Sequence, residues 1–226
     1  MSVLLIPGLL CDGTVWQPVL PDLPGAVVAD LSTQDDIRDM ARDCLARVDG
    51  PLRVAGHSMG ARVAIEMAAQ APERIERLAL LDTGIHPLKP GERAARAEIV
   101  AFAHANGMAA LCDRWLPPMV HAANHADADL MGRLRAMVLR MDADLHDRQI
   151  RALVNRPDAV APLKALRCPL LLVVGRQDAW SPVAQHEEMA RLVPQARLEI
   201  IEEAGHFAPV ERPDALRRVL VPFLAP

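Results

Sequence analysis

Ser58 lies in a Gly-x-Ser-x-Gly segment whose surroundings could make its hydroxyl a nucleophile. The segment runs from Gly56 to Gly60, after an apolar predicted strand and at the start of a predicted helix from about Met59 to Gln70. A sharp turn between strand and helix exposes the serine hydroxyl, and the two glycines let strand and helix approach closely. The helix N-terminus favours negative charge that develops beside the serine. The spacing therefore predicts a serine nucleophile.

A serine nucleophile requires a general base, and the base requires a group that orients it. After a turn of this kind, the acid and then the histidine follow later strands of the same sheet. Asp178 follows the fully apolar stretch 170–174, and His206 follows the next predicted strand, 197–201. We therefore predict that Ser58, Asp178 and His206 converge at one edge of a parallel sheet, with His206 as the base.

Other acids and histidines provide alternatives. Three further carboxylates follow predicted strands: Asp82, Glu202 and Glu203. Asp178 is favoured over Asp82 because the Ser181-Pro182 pair after it is typical of a turn that leads into a helix. The two glutamates are weaker candidates because they lie so close in sequence to the histidine. The remaining histidines are expected to be ordinary polar surface residues: His57, His86, His104, His121, His125, His146 and His186.

Acyl chemistry at a serine also needs two backbone N–H groups that bind the developing oxyanion. One belongs to the residue after the nucleophile, here Met59, and the other to the loop after an early strand. The strand 3–6 is followed by a Pro-Gly pair, and Gly8 lets the backbone turn towards the serine. Leu9 is therefore the predicted second donor. The alternative is an ordinary loop between a strand and a helix.

Together these motifs resemble the α/β-hydrolase superfamily, specifically its small bacterial serine esterases with a helical cap. The matching pieces occur in the expected order over nearly the full length: Pro7-Gly8-Leu9-Leu10 leading to Trp16, Gly56 to Gly60, Gly175-x-x-Asp178, and Gly205-His206-Phe207 followed by Glu211-Arg212-Pro213. There are two departures. Many members have His-Gly in place of Pro7-Gly8, and many begin with an extra β-hairpin, whereas the oxyanion strand begins here at Val3.

The expected fold class is α/β, with a doubly wound, mostly parallel sheet of about six strands, no N-terminal hairpin and a helical cap insertion. The strands are predicted near 3–6, 26–30, 52–56, 77–82, 170–174 and 197–201. Four helical patterns fill the long interval between the fourth and fifth strands, near 91–105, 107–116, 126–141 and 143–155. We therefore predict a core of residues 1–84 and 162–226 with a cap of residues 85–161 inserted in it.

Side chains of the cap are candidates for an apolar substrate pocket. Trp115, Met119 and Met137 belong to the cap, and Leu10 lies in the predicted oxyanion loop. The alternative is that the methionines only pack the cap against the sheet. We predict that these four residues contact the substrate.

Composition excludes several classes of protein. The chain has 226 residues, 51% hydrophobic and 24% charged, and a net charge of −4, which is typical of a globular domain without a nucleic-acid or membrane partner. The four cysteines are widely spaced, which favours free thiols in a reducing, cytoplasmic compartment over a metal site: Cys11, Cys44, Cys112 and Cys168. No cofactor or metal is implied.

The resemblance implies a serine hydrolase that cleaves small-molecule carboxylic esters through an acyl-enzyme intermediate. A thioesterase, an acyltransferase or a perhydrolase would use the same triad. A non-catalytic small-molecule-binding protein of this fold is the alternative from a different class, because fold alone does not determine function. The sequence specifies neither the natural substrate and acyl length nor the oligomeric state.

Overall fold

The computed structural model describes residues 2–225, whose six strands form one parallel sheet in the order β2-β1-β3-β4-β5-β6. The strands are β1 Ser2–Ile6, β2 Val27–Val28, β3 Leu52–His57, β4 Ile75–Leu81, β5 Leu170–Gly175 and β6 Arg197–Ile201. All six lie where the sequence predicts them. Because the strands are parallel, their C-terminal ends share one edge of the sheet, where ligands bind in folds of this kind.

The central strands are continuously apolar because both faces of the sheet are covered. Leu4 and Ile6 point to one face and Leu5 to the other, and β3, β4 and β5 alternate in the same way. Helices α1 Ile37–Arg47, α2 Met59–Gln70 and α7 Val183–Leu192 contribute to the core on one face. The helices that contribute to the core on the other face are α3 Glu92–Trp115, α4 Ala128–Leu139, the short α8 Ala208–Glu211 and α9 Pro213–Leu224. The sheet is doubly wound, as predicted.

The interval between β4 and β5 is mostly helical. It contains α3, α4, α5 Ala143–Val154 and the short α6 Val160–Lys164. Asp127 and Asp142 begin α4 and α5, where each carboxylate accepts a hydrogen bond from the backbone N–H three residues on. Gly107 interrupts α3 with a φ of 80°, so that α3 consists of two helical segments, as the sequence predicts. The division into core and inserted cap stays a prediction.

All four cysteines are unpaired thiols, and Cys11, Cys44 and Cys112 are buried. Within residues 2–225, no helix has the length and apolar character needed to cross a membrane.

Candidate active site

Ser58 occupies a strained turn between β3 and α2. Its φ of 54° and ψ of −114° place a non-glycine residue in backbone geometry that L-amino acids rarely adopt. The turn is possible because glycines flank it. A Cβ atom on Gly56 would overlap the backbone of Gly60, and one on Gly60 would overlap the carbonyl oxygens of Ile6 and Pro7. Strand β1, strand β3 and helix α2 therefore meet at backbone distance directly beside the serine.

We expect Gly60→Ala to lower the free energy of unfolding by about 2–3 kcal/mol, because the added methyl group has only backbone as its neighbour. Gly132→Ala in α4 is the matched control. A Cβ atom there meets nothing within 4 Å, so the alanine should raise stability by roughly 0.5–1 kcal/mol through its higher helix propensity. Urea unfolding of the two variants measures both changes. Equal effects would show that backbone crowding at the turn is unimportant.

The three residues predicted to converge form a continuous chain of hydrogen bonds. The Nε2 atom of His206 lies 2.8 Å from the Ser58 Oγ atom, and its Nδ1 atom lies 2.8 Å from the Asp178 Oδ2 atom. Ser58 follows β3, Asp178 follows β5 and His206 follows β6, so the parallel sheet brings all three to the same edge. This geometry is that of a nucleophile, a base and an orienting acid.

The environment keeps Asp178 ionised. Burial alone would raise the pKa of its carboxyl, but the charge and the hydrogen bond of His206 outweigh that effect. The backbone N–H groups of Trp180 and Ser181 donate to the Asp178 Oδ1 atom at 2.8 and 2.9 Å and lower the pKa further. The net pKa lies below the ordinary value for aspartate, as a carboxylate that orients an imidazolium requires.

Asp82, the rival acid, occupies a different position. Its Oδ1 atom accepts a hydrogen bond of 2.9 Å from the Gly175 N–H, and its Oδ2 atom has no hydrogen-bond partner among residues 2–225. Burial, and then the negative charge of Asp178, raise the pKa of Asp82 well above its ordinary value. Its Oδ2 atom lies 3.8 Å from the Nε2 atom of His57. Burial lowers the pKa of His57 to about 3, so the imidazole is uncharged at neutral pH and this contact is not an ion pair.

Three histidines expected at the surface are instead buried: His57, His146 and His186. The expectation was wrong for them because tertiary packing, which the local sequence does not report, covers their rings. His57 donates from Nε2 to the backbone oxygen of His206 at 2.7 Å, and His186 accepts from the Thr83 N–H at 3.2 Å. Burial lowers the pKa of His146 and of His186 to about 4. All three rings are therefore neutral at pH 7.

We expect these buried histidines to make the fold sensitive to acid. Their pKa values are lower in the folded than in the unfolded chain, so their stabilising contribution is complete above about pH 6.5 and is lost as the pH falls towards 4. The raised pKa of Asp82 has the opposite effect and stabilises the folded chain as the pH falls. Only this one group acts in that direction, whereas the three histidines act in the other. His146→Gln should reduce the dependence of the unfolding free energy on pH between 6 and 5 by about 1.4 kcal/mol per pH unit, the effect of one proton.

Exposed His125 supplies the control for this measurement, because His125→Gln should leave the pH dependence almost unchanged. Urea unfolding at several pH values gives both slopes. An unchanged slope in the His146 variant would mean that its ring is protonated in the folded protein.

The predicted oxyanion donors flank the serine. Leu9 and Met59 both line the same cavity as Ser58, and a Cβ atom on Gly8 would lie 3.1 Å from the Cβ atom of Ser58. Loop and nucleophile are therefore in direct contact. The next N–H along the loop, that of Leu10, donates to the Gln149 Oε1 atom at 2.9 Å. Gln149 thus fixes the loop from α5, a contact across 139 residues that the sequence did not suggest.

A cavity of about 510 Å³ opens above the serine. Trp115 and Met119 lie in its wall, and their contact with a substrate stays a prediction. Leu10 and Met137 do not: both side chains are fully buried in the hydrophobic core, so the prediction that they contact substrate is corrected. Met137 lies on the face of α4 that packs inward. The backbone N–H of Leu10 is held by the Gln149 side chain, and the φ of Leu10 is 56°.

Glu211 is a positioning residue for which the sequence predicted no role. Its buried Oε1 atom accepts from the N–H groups of Gly205 and Phe207 at 2.9 and 3.2 Å, on either side of His206. Its Oε2 atom accepts from the His121 N–H and from the Asn124 side-chain amide, both at 2.8 Å. One carboxylate therefore joins the histidine loop to the segment after α3. The Glu-Arg-Pro motif after the histidine was the only sequence signal for it.

The sheet and the arrangement at its edge are those of α/β hydrolases as a class. The family model described as "Alpha/beta hydrolase family" matches residues 3–219, and the chain belongs to this family. An esterase from Thermogutta terrifontis, solved with malate bound, superposes with a TM-score of 0.90 at 25% identity over 99% of this chain and 89% of that one.

Two further comparisons support the same family assignment. The enol-lactonase of Burkholderia xenovorans shares the fold, with a TM-score of 0.88 at 24% identity over 100% of this chain and 91% of that one. The pimeloyl-[acyl-carrier protein] methyl ester esterase of Neisseria meningitidis is 27% identical over 197 residues, which is 84% of this chain and 76% of the esterase. This protein is a hydrolase of the same family.

Proposed function

We propose that the protein hydrolyses carboxylic esters through a covalent acyl-enzyme on Ser58. The observation that carries the proposal is the unbroken chain of hydrogen bonds from Ser58 through His206 to Asp178 at the floor of a cavity. The esterases among the relatives support the reaction class.

The tautomer of His206 follows from its partners. Asp178 is ionised and can only accept, so the Nδ1 atom of His206 carries the proton, and Nε2 is free to accept the proton of the Ser58 hydroxyl. Attack of the Ser58 oxygen on the ester carbonyl moves that proton to Nε2. The imidazolium then returns a proton to the leaving alcohol oxygen as the C–O bond breaks.

In the second half of the reaction, His206 accepts a proton from water, and the hydroxide oxygen attacks the acyl carbonyl. The acid leaves, and the proton returns to the Ser58 oxygen. The backbone N–H groups of Leu9 and Met59 stabilise the oxyanion in both halves. Asp178 stabilises the imidazolium without taking its proton. A thioester, or an acyl acceptor other than water, would use the same groups.

A panel of p-nitrophenyl esters from acetate to octanoate tests this proposal. We expect turnover with an initial burst of p-nitrophenol of up to one equivalent per active site, because the acyl-enzyme accumulates when deacylation is slow. A fluorophosphonate probe should label Ser58, as peptide mass spectrometry will show. Binding of the esters without any turnover would favour the non-catalytic alternative.

A further inference from the structure

The cavity wall carries far more positive than negative charge. Among the described residues, one carboxylate lines the cavity, that of Glu92. Five basic side chains line it: Arg62, Lys89, Arg96, Arg114 and Arg156. Lys89 and Arg114 are exposed to solvent, so the partners of the other three decide whether a charge is left unpaired. A buried cation without a partner destabilises a fold, and a neutral aliphatic ester would not provide one.

Glu92 is already fully engaged. The Nη1 and Nη2 atoms of Arg156 contact its two carboxylate oxygens, each at 2.8 Å, and the Nε atom of Arg96 donates to one of them, also at 2.8 Å. The pKa of Glu92 falls to about 2 because these hydrogen bonds outweigh the effect of burial. Arg156 also donates to three backbone carbonyls, of His86, Pro87 and Leu153. The Glu92 carboxylate is therefore already used to bind Arg156 and Arg96.

Arg62 has no such partner. Its Nη2 atom donates to the His86 carbonyl at 2.9 Å, but its Nη1 atom is buried and makes no hydrogen bond within residues 2–225. None of the described carboxylates lies within 4 Å of its guanidinium. Burial, and then the charge of Arg156, lower the pKa of Arg62 to about 9, so the group is still a cation at neutral pH.

His146 presents a second unused polar group to the same cavity. It lies on α5, is 1% exposed, and neither ring nitrogen has a hydrogen-bond partner in the described chain. Being neutral, the ring offers one N–H donor and one acceptor. The half-buried Arg62 of α2 and the buried His146 of α5 thus line one cavity, and each carries a buried nitrogen without a hydrogen-bond partner in residues 2–225.

We propose that Arg62 and His146 form a subsite for a carboxylate group carried by the ester substrate, at a distance from the ester bond that is cleaved. This inference rests on the proposed ester hydrolysis and names its substrate class. The planar fork of a guanidinium matches the two oxygens of a carboxylate, and an imidazole N–H can complete the site. Arg62 follows Ser58 by four residues in α2, about one helical turn, so the spacer between the two groups is short.

Kinetic comparison of matched esters tests the subsite. Monoethyl esters of succinate, glutarate and adipate are compared with the corresponding diethyl esters, with acid release followed in a pH-stat. Ethyl acetates that carry a carboxylate on the alcohol side form a second series, each matched with its methyl ester. We expect kcat/KM for the best carboxylate-bearing ester to exceed that of its neutral partner by about 10- to 100-fold.

Arg62→Met should reduce that ratio to about 1, whereas Arg42→Met, an exposed arginine on α1, should leave the ratio unchanged. Circular dichroism melting establishes that both variants fold. If the Arg62 variant does not fold, the kcat/KM ratio of charged to neutral esters in the unmodified enzyme still tests the subsite. Neutral esters that are cleaved as fast as the charged ones in both series would overturn the inference and leave the proposed hydrolysis standing.

Calorimetric titration separates the subsite from the chemistry. The Ser58→Ala variant is titrated with glutarate, with neutral glutaramide and with inorganic phosphate. We expect glutarate to bind at least tenfold more tightly than either of the others. Tighter binding of phosphate would show that the site takes a tetrahedral anion instead of a carboxylate and would overturn the inference. Selective binding of glutarate by an enzyme that cleaves no ester would support the subsite and reject the proposed function.

Discussion

Ser58→Ala is expected to lower kcat on p-nitrophenyl butyrate by at least about 10⁴-fold while leaving the fold intact. Alanine has no oxygen that can attack the ester, and the members of such a triad act as a unit, so the remaining groups recover little of the rate. Alanine keeps the Cβ atom of serine and adds no other atom, so it does not increase the strain of the turn, where the φ of Ser58 is 54°. Single-turnover kinetics and circular dichroism measure the two effects.

Ser32→Ala supplies the control, because Ser32 lies in a loop outside the cavity and should retain full activity. The fluorophosphonate probe should no longer label the Ser58 variant. Near-normal turnover in that variant would reject Ser58 as the nucleophile.

Asp178→Asn is expected to lower kcat by about 10⁴-fold. An asparagine side chain can donate to the Nδ1 atom of His206, which favours the tautomer with the proton on Nε2. That tautomer cannot accept the proton of Ser58. The amide also lacks the negative charge that stabilises the imidazolium.

Asp82→Asn is the matched variant, since it changes another buried aspartate at the end of a neighbouring strand. The ring of His206 hydrogen-bonds to Asp178, and an amide oxygen at position 82 can still accept from the Gly175 N–H, so we expect activity within about tenfold of the unmodified enzyme. Stopped-flow measurement of acylation by each variant distinguishes the two acids. A larger loss from the Asp82 variant would move the acid to the end of β4.

The sequence predicted those features that depend on local pattern. The bounds of α2 agree with the prediction to the residue, because apolar spacing and the Gly-x-Ser-x-Gly turn specify them. The hydrogen-bonded chain through Ser58, Asp178 and His206 follows from motif order, because parallel strands deliver their C-terminal ends to one edge. Strand β2 is shorter than predicted because it lies at the sheet edge, paired only with β1.

What the sequence did not reveal depends on contacts between distant segments. The pairing of Gln149 with the Leu10 N–H spans 139 residues, and Glu92, a neighbour of Arg62 in the cavity wall, is paired with Arg96 on α3 and with Arg156 after α5. No local pattern distinguishes Met119, in the cavity wall, from Met137, in the core. The packing of the helices between β4 and β5 determines the partners of Glu92 and also determines which of the two methionines reaches the cavity.

The carboxylate of Glu211 couples the position of residues 119–124 to the position of the His206 ring. A movement of residues 119–124 away from the sheet would break the bonds to His121 and Asn124, and also the 2.7 Å bond from the His206 N–H to the Met119 carbonyl. The imidazole would lose its alignment with Ser58 at the same moment. The alignment of His206 with Ser58 is therefore only as stable as the packing of residues 119–124 against the sheet edge, at the wall of the cavity.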